Sequence, residues 1–205
     1  MFAILHLWSE NAPMTLNIHS STEESLIYKC RKKNGKAQKE LYEKYAPKML
    51  GVCIRYVKDA DQAEDIMIAA FVKIFEKIDQ FKSEGSFEGW IRRIMVNESL
   101  TFIRRNKGMY LEVDIEAADR EPDYNTLSDH LETEDLLKMI HSLPTGYQTV
   151  FNLYAIEGYS HKEIAQQLNI SENTSKSQLS RARSLLQKQL LEREKLDNEK
   201  IKSYE

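Results

Sequence analysis

The stretch "SHKEIAQQLNISENTSKSQLSRARSLL", Ser160 to Leu186, constrains this chain more than any other, because local chemistry sets two helices and the turn between them. Ser160 and Glu163 spell a capping box just after Gly158, so a helix starts there. Ile164, Ala165 and Leu168 give that helix one apolar face, and Ala165 is small enough for close helix contact. Asn169 suits the turn, since Asn tolerates the left-handed backbone. Ile170 plugs the angle, and Ser171 caps the next helix. The second helix buries Leu179, Ala182 and Leu186 and leaves Lys176, Ser177, Gln178, Arg181 and Arg183 mostly outside. Lys and Arg neutralise phosphates, while Ser, Gln or Arg reach base edges in the major groove. A plain helical hairpin with a solvated polar face is the simpler reading. Two consecutive caps, the plugging Ile and the basic outer face favour DNA.

The rest of the chain predicts an all-α protein of two small helical domains joined by a flexible acidic linker. Only seven Gly and four Pro serve 205 residues, too few for the many tight turns of sandwiches and barrels. Residues 1–20 form an N-terminal extension outside the helical pattern, and a start at Met14 is as consistent as one at Met1. Residues 21–107 read as a four-helix bundle. Ser21 with Glu24 suggests a capping box for its first helix, which stops at Asn34–Gly35. Leu41, Tyr45, Met49, Val52 and Tyr56 mark the second helix, and Asp61 and Glu64 open the third. Residues 108–130 lack a period and read as linker; 131–190 form the second domain, and 191–205 a tail extending its last helix.

A net charge of −3 hides a division. From Gly108 to Asp135 ten acidic residues face one basic residue, Arg120, leaving the remainder at +6. Cys30 and Cys53 form no paired motif and suit buried thiols in a reducing compartment. The apolar "MFAILHLW" has no basic lead and is too short to span a bilayer, so the expected location is cytoplasmic. The five histidines have no ligand-spaced partners, and no phosphate loop or nucleophile motif appears. Neither a metal, a cofactor nor a small-molecule substrate is expected, and catalysis is disfavoured.

The fourth helix of the bundle carries Trp90, Arg92, Arg93, Asn97, Arg104 and Arg105. Aromatic faces accept unstacked bases and Arg follows the backbone, a mixture suited to partly melted DNA. Trp90 is equally consistent with a core position.

The run "AEDIMIAAFVKIFEKIDQFKSEGSFEGWIRRIMVNESLTFIRR" resembles region 2 of sigma-70 family factors, and "LPTGYQTVFNLYAIEGYSHKEIAQQLNISENTSKSQLSRARSLL" resembles their region 4. With no recognisable domain between them, the chain is similar to the extracytoplasmic-function (ECF) group of bacterial sigma factors.

The resemblance implies two partners, core RNA polymerase and promoter DNA; an anti-sigma factor is a common third in the family. It places Asp65, Phe71 and Phe75 in the polymerase-binding helix. The loop from Phe81 through Ser86 to Phe87, with Asn97, matches the place that holds a flipped −10 base. Trp90 stands beside that loop, and Arg92, Arg93, Arg104 and Arg105 fall where the family contacts DNA backbone. Ser171, Thr174, Lys176, Ser177, Gln178, Ser180, Arg181 and Arg183 belong to the −35-reading helix and its cap. One departure is clear: Ile68 and Ala69 occupy the places of the family's Gln-Glu pair. The implied function is promoter recognition without nucleotide hydrolysis. The alternative is a stand-alone helix–turn–helix regulator with a sensing or dimerisation bundle, which has no need of an Arg-rich aromatic helix.

Overall fold

The computed structural model describes residues 18–106 and 133–202. The expectations for the Met14 start and the acidic linker fall outside that range, as do those for the extreme ends of the chain. Every regular element among the described residues is helical. The first unit comprises α1 (Ile18–Arg31), α2 (Gly35–Ile54), α3 (Ala60–Lys77) and α4 (Phe87–Arg105), with a 3-10 turn at Ile78–Gln80. The second comprises α5 (Thr133–Ser142), α6 (Thr145–Phe151), a π turn (Asn152–Ile156), α7 (His161–Leu168) and α8 (Glu172–Lys202).

Short polar caps start most of these helices. Asn34 accepts from the Ala37 amide at 3.0 Å to open α2, after Lys33 turns the chain at φ 56°. Asp59 opens α3 by accepting from Gln62 N at 2.8 Å, so Asp61 sits in the first turn instead of before it. Ser86 opens α4 through Gly89 N at 3.0 Å. Helix α1 differs from expectation. It begins at Ile18, so Ser21 lies inside the helix and not at its start. No Gly or Pro in "IHS" stops the helix from continuing past Ser21.

The apolar stripes of α2, α3 and α4 converge on Leu41, Met49, Ile74, Phe87, Ile91 and Met95, all at most 1% exposed. The two cysteines are buried there with free thiols. Burial pushes both thiols up, Cys53 to about 11, which keeps them protonated and unreactive.

The second unit has its own small cluster of Met139, Ile140, Leu143, Tyr147, Ala182 and Leu186. Its other apolar residues, Val150, Leu153, Ile164 and Leu179, join the core of the first unit. Helix α6 continues beyond Phe151 as a wider π turn, closed by Glu157 N to Asn152 O at 2.9 Å. At that turn, Asn152 Nδ2 and Gln148 Nε2 both donate to the Arg55 carbonyl, at 2.5 and 2.9 Å. His141 Nε2 lies 2.8 Å from the Ile54 carbonyl. The end of α2 is thus held by the second unit, and the two units pack as neighbours.

Candidate nucleic-acid interface

The helix–turn–helix forms as its sequence dictates. Ser160 Oγ accepts from Glu163 N, and Glu163 Oε2 accepts from Ser160 N at 2.8 Å, so both halves of the box are closed. These hydrogen bonds hold the Glu163 carboxyl below the usual carboxylate range. Asn169 takes φ 55° and ψ 50°, the left-handed turn. Ser171 Oγ accepts from Thr174 N at 2.9 Å and starts α8.

On α8 the buried positions are Ser175, Leu179, Ala182 and Leu186, spaced i, i+4, i+7 and i+11. That phase turns Lys176, Ser177, Ser180 and Arg181 outward, and all four are exposed, as is Ser171. Thr174 is half-buried, 2.8 Å from Ser171 Oγ. Gln178 and Arg183 are also half-buried. Gln178 packs over Gly146, where an added Cβ would stand 3.3 Å from its Nε2. Arg183 lies over the Tyr154 ring at 5.7 Å, and Tyr154 stacks on His161 at 4.6 Å. Arg181 also reaches the Tyr147 hydroxyl at 3.4 Å. The outward row includes Asn173, exposed in the first turn and not singled out from sequence. Its signal was positional: it precedes Ser177 by four and Ser180 by seven.

The first unit distributes its predicted residues differently. Phe81 and Phe87 are 7% and 1% exposed, so they are core and offer no open face to a base. Trp90 is half-buried, its ring stacked on Phe87 at 5.7 Å and tilted against Phe81 at 5.7 Å. These rings form an apolar floor under the α3–α4 loop. Ser86 and Asn97 are exposed.

Most of the arginine row faces the second unit. Arg92 donates from Nε and Nη2 to the two oxygens of Glu157, at 2.6 and 3.0 Å. Arg55 Nη2 reaches the same carboxylate at 3.2 Å. The Arg92 guanidinium is pushed up by this partner. Arg93 lines a cavity with Glu157 and Glu163, and Arg104 donates to the Gln167 carbonyl at 3.2 Å. Arg105 stands apart, in a cavity with Asp65 between α3 and α4.

Phe71 is likewise a core residue, 2% exposed and packed edge-on to Tyr42 at 4.8 Å. Phe75 is half-buried and Asp65 exposed. The outward face of α3 carries Ile68 and Val72, 45% and 53% exposed. Both residues at the departure from the family pattern, Ile68 and Ala69, are therefore exposed. Tyr28, 60% exposed beside the α3–α4 loop, is the open aromatic that sequence reading missed. Its signal was its place off the buried face of α1, which Leu26, Ile27 and Cys30 occupy.

No helix among the described residues is long and apolar enough to cross a membrane. The family model for sigma-70 region 2 matches residues 41–108, and that for sigma-70, region 4 matches residues 133–186. The chain is 30% identical over 176 residues to the ECF RNA polymerase sigma factor SigW of Bacillus subtilis, covering 80% of this chain and 94% of that one. It is 28% identical over 182 residues to the ECF RNA polymerase sigma-E factor of Haemophilus influenzae, covering 82% and 95%. The sigma factor RpoE solved in complex with the anti-sigma factor NepR from Bartonella quintana is 25% identical, with a TM-score of 0.48 over 75% of this chain and 96% of that one.

Proposed function

This chain belongs to the extracytoplasmic-function group of the sigma-70 family, and on that premise we propose that its second unit reads the −35 element as duplex DNA while its first captures the melted −10 element. As a sigma factor it binds core RNA polymerase and directs promoter-specific initiation. Sigma factors are non-catalytic initiation factors. In our reading this one works in the cytoplasm by binding energy alone, without a cofactor or nucleotide hydrolysis.

The observation that carries the division of labour is the Ser171-capped α8, whose outward row of Asn173, Lys176, Ser177, Ser180 and Arg181 suits a major groove. Melted DNA suits the first unit, where Ser86 caps α4 beside an aromatic floor and Asn97 and Arg105 are exposed farther along the same helix. Polymerase would take the outward face of α3, through Asp65, Ile68, Val72 and the edge of Phe75, with Phe71 supporting them from inside. A stand-alone regulator is not favoured, because the first unit matches region 2.

The test is a pull-down with core RNA polymerase, then transcription from a promoter library. The reading expects association and a recovered two-element motif. In that system Arg181→Ala should weaken −35 duplex binding, while Asn97→Ala should affect only melted −10 DNA. Failure to bind polymerase, with tight binding to duplex operators, would return the chain to the regulator class.

A further inference from the structure

The region 2 match begins at residue 41, so helix α1 lies outside it, yet α1 builds one wall of a cavity at the α3–α4 loop. The cavity holds about 400 Å³ and is lined by Glu24, Tyr28 and Arg31 from α1 and by Phe81, Ser83 and Ser86 from the opposite side. That volume is of the size that binds small ligands, and a single nucleobase fits within it.

The loop is held in an uncommon shape. Ser83 and Gly85 both take positive φ, 60° and 94°, and for a serine that region is sparsely populated. Such conformations persist where neighbours hold them, and they concentrate at ligand sites. Here Arg31 does the holding. It donates from Nη2 to the Phe81 carbonyl at 2.5 Å and from Nε to the Ile78 carbonyl at 3.4 Å. The same two residues close the 3-10 turn from which the loop departs, Phe81 N donating to the Ile78 carbonyl at 3.2 Å.

The other α1 residues differ in their freedom. Glu23 is occupied by the Tyr45 hydroxyl and the Lys44 ammonium. Glu24 is exposed at the cavity, and Tyr28 is 60% exposed at the same wall. The helix buries Leu26, Ile27 and Cys30, so packing does not account for an aromatic ring at position 28. Lys32, in the turn just after α1, sits 5.6 Å from the ring centroid and adds positive charge beside it.

We infer that α1 completes a pocket for one extruded base that bears an exocyclic amine, with Tyr28 stacking on its face, Glu24 accepting from the amine and Arg31 positioning the loop. The inference rests on the reading that the first unit captures melted −10 DNA. A carboxylate accepts from adenine N6, cytosine N4 or the guanine N1 and N2 edge. Thymine has no amine, and its N3–H lies between two carbonyl oxygens that repel a carboxylate. The pocket therefore discriminates against thymine at one promoter position.

The experiment uses the full chain bound to core polymerase and a promoter duplex with a pre-melted −10 bubble. Each bubble base is replaced in turn by thymine and by an abasic site. Wild type should lose about tenfold in affinity at one position for either replacement. Glu24→Gln offers an amide that donates as well as accepts, so the thymine penalty there should vanish while the abasic penalty remains. Tyr28→Ala should remove the abasic penalty. Arg31→Lys should weaken every base at that position alike and leave −35 duplex binding unchanged, which also reports on folding. If holoenzyme shows no preference for bubble over duplex, the −10 capture reading itself fails. If that preference stands but the Glu24 and Tyr28 variants keep the wild-type base profile, only the role of α1 is overturned.

Discussion

Arg92 and Glu157, sixty-five positions apart in sequence, meet across the boundary of the two units through a two-pronged ion pair at 2.6 and 3.0 Å. Glu157 lies at the end of the π turn, with its side chain 5% exposed, and Arg55 shares its carboxylate. Around this pair, hydrogen bonding is incomplete. Arg55 Nε, Tyr56 Oη, Asn152 Oδ1 and Gln167 Oε1 are buried without a protein partner. An unpaired buried polar group costs roughly 1–3 kcal/mol. Such a boundary gains apolar contact from Leu153 and Ile164 and loses part of it to unsatisfied groups.

One guanidinium cannot make the same two bonds to Glu157 and to a phosphate at once. If Arg92 contacts the DNA backbone, as the resemblance implies, that contact competes with closure of the units. Glu157→Gln removes the charge that both arginines share, and should weaken the closed arrangement by about 1–3 kcal/mol, less than a fully buried pair would because Arg92 keeps 29% of its side-chain surface. The free variant should show a larger radius of gyration in solution scattering and bind melted −10 DNA roughly fivefold or more tightly. An unchanged radius together with unchanged affinity would show that the pair does not restrain the units.

What could be read in advance followed from how far apart the interacting groups lie. The Ser160–Glu163 box, the left-handed Asn169 and the Ser171 cap each depend on residues three or four positions apart, and all formed as spelled. The burial of Phe71, Phe81 and Phe87 was not legible, because a ring next to an apolar stripe fits equally the core and its rim. The α1 start was missed because Ser21 has capping chemistry but no helix-breaking neighbour before it. Arg92 shows the limit most clearly. Its charge was read as a DNA contact, while its partner arrives from another unit with no periodic signal.

His161 gives the second unit a pH dependence of defined sign. Its Nδ1 lies 2.9 Å from Ser175 Oγ and its ring stacks on Tyr154. Burial, followed by the charges of Lys176 and Arg183 and opposed by Glu172, depresses its pKa below 6.5. The unfolded chain then takes up the proton first as pH falls. Stability from the neutral imidazole is fully present above about pH 6.5 and is lost as pH drops through the folded pKa. Thermal unfolding at pH 7.5 and 5.5 should show a larger fall in Tm for wild type than for His161→Gln. Equal falls would assign the acid sensitivity to other groups.

The outward face of α3 separates binding from stability. Ile68 and Val72 are one turn apart and exposed, so Ile68→Asp or Val72→Asp should change stability by only about 0.5 kcal/mol. If polymerase takes this face, either change should weaken capture of core enzyme about tenfold or more, since a charge would meet an apolar contact. Phe71→Ala should do the opposite first, costing roughly 3–5 kcal/mol of folding stability by opening a cavity beside Tyr42. Melting curves and polymerase titrations on the three variants check both halves. Full polymerase binding by both Asp variants would move the contact to another face.

On α8, position predicts which changes alter affinity and which alter sequence choice. Lys176 belongs to the outward row and offers a phosphate a flexible charge. Lys176→Ala should therefore weaken all −35 sequences nearly alike and reduce the salt-dependence slope by about 0.9. Asn173 and Ser177 stand one turn apart on the outward face, with groups that can hydrogen-bond to base edges. Asn173→Ala should cost about 1–3 kcal/mol at a single base pair, an adenine if the amide bonds in its two-pronged mode, and leave the salt slope unchanged. Duplex binding across a panel of −35 point variants at several salt concentrations separates the two effects. A slope change from Asn173→Ala, or altered base preference from Lys176→Ala, would mean that α8 lies in the groove in a different register.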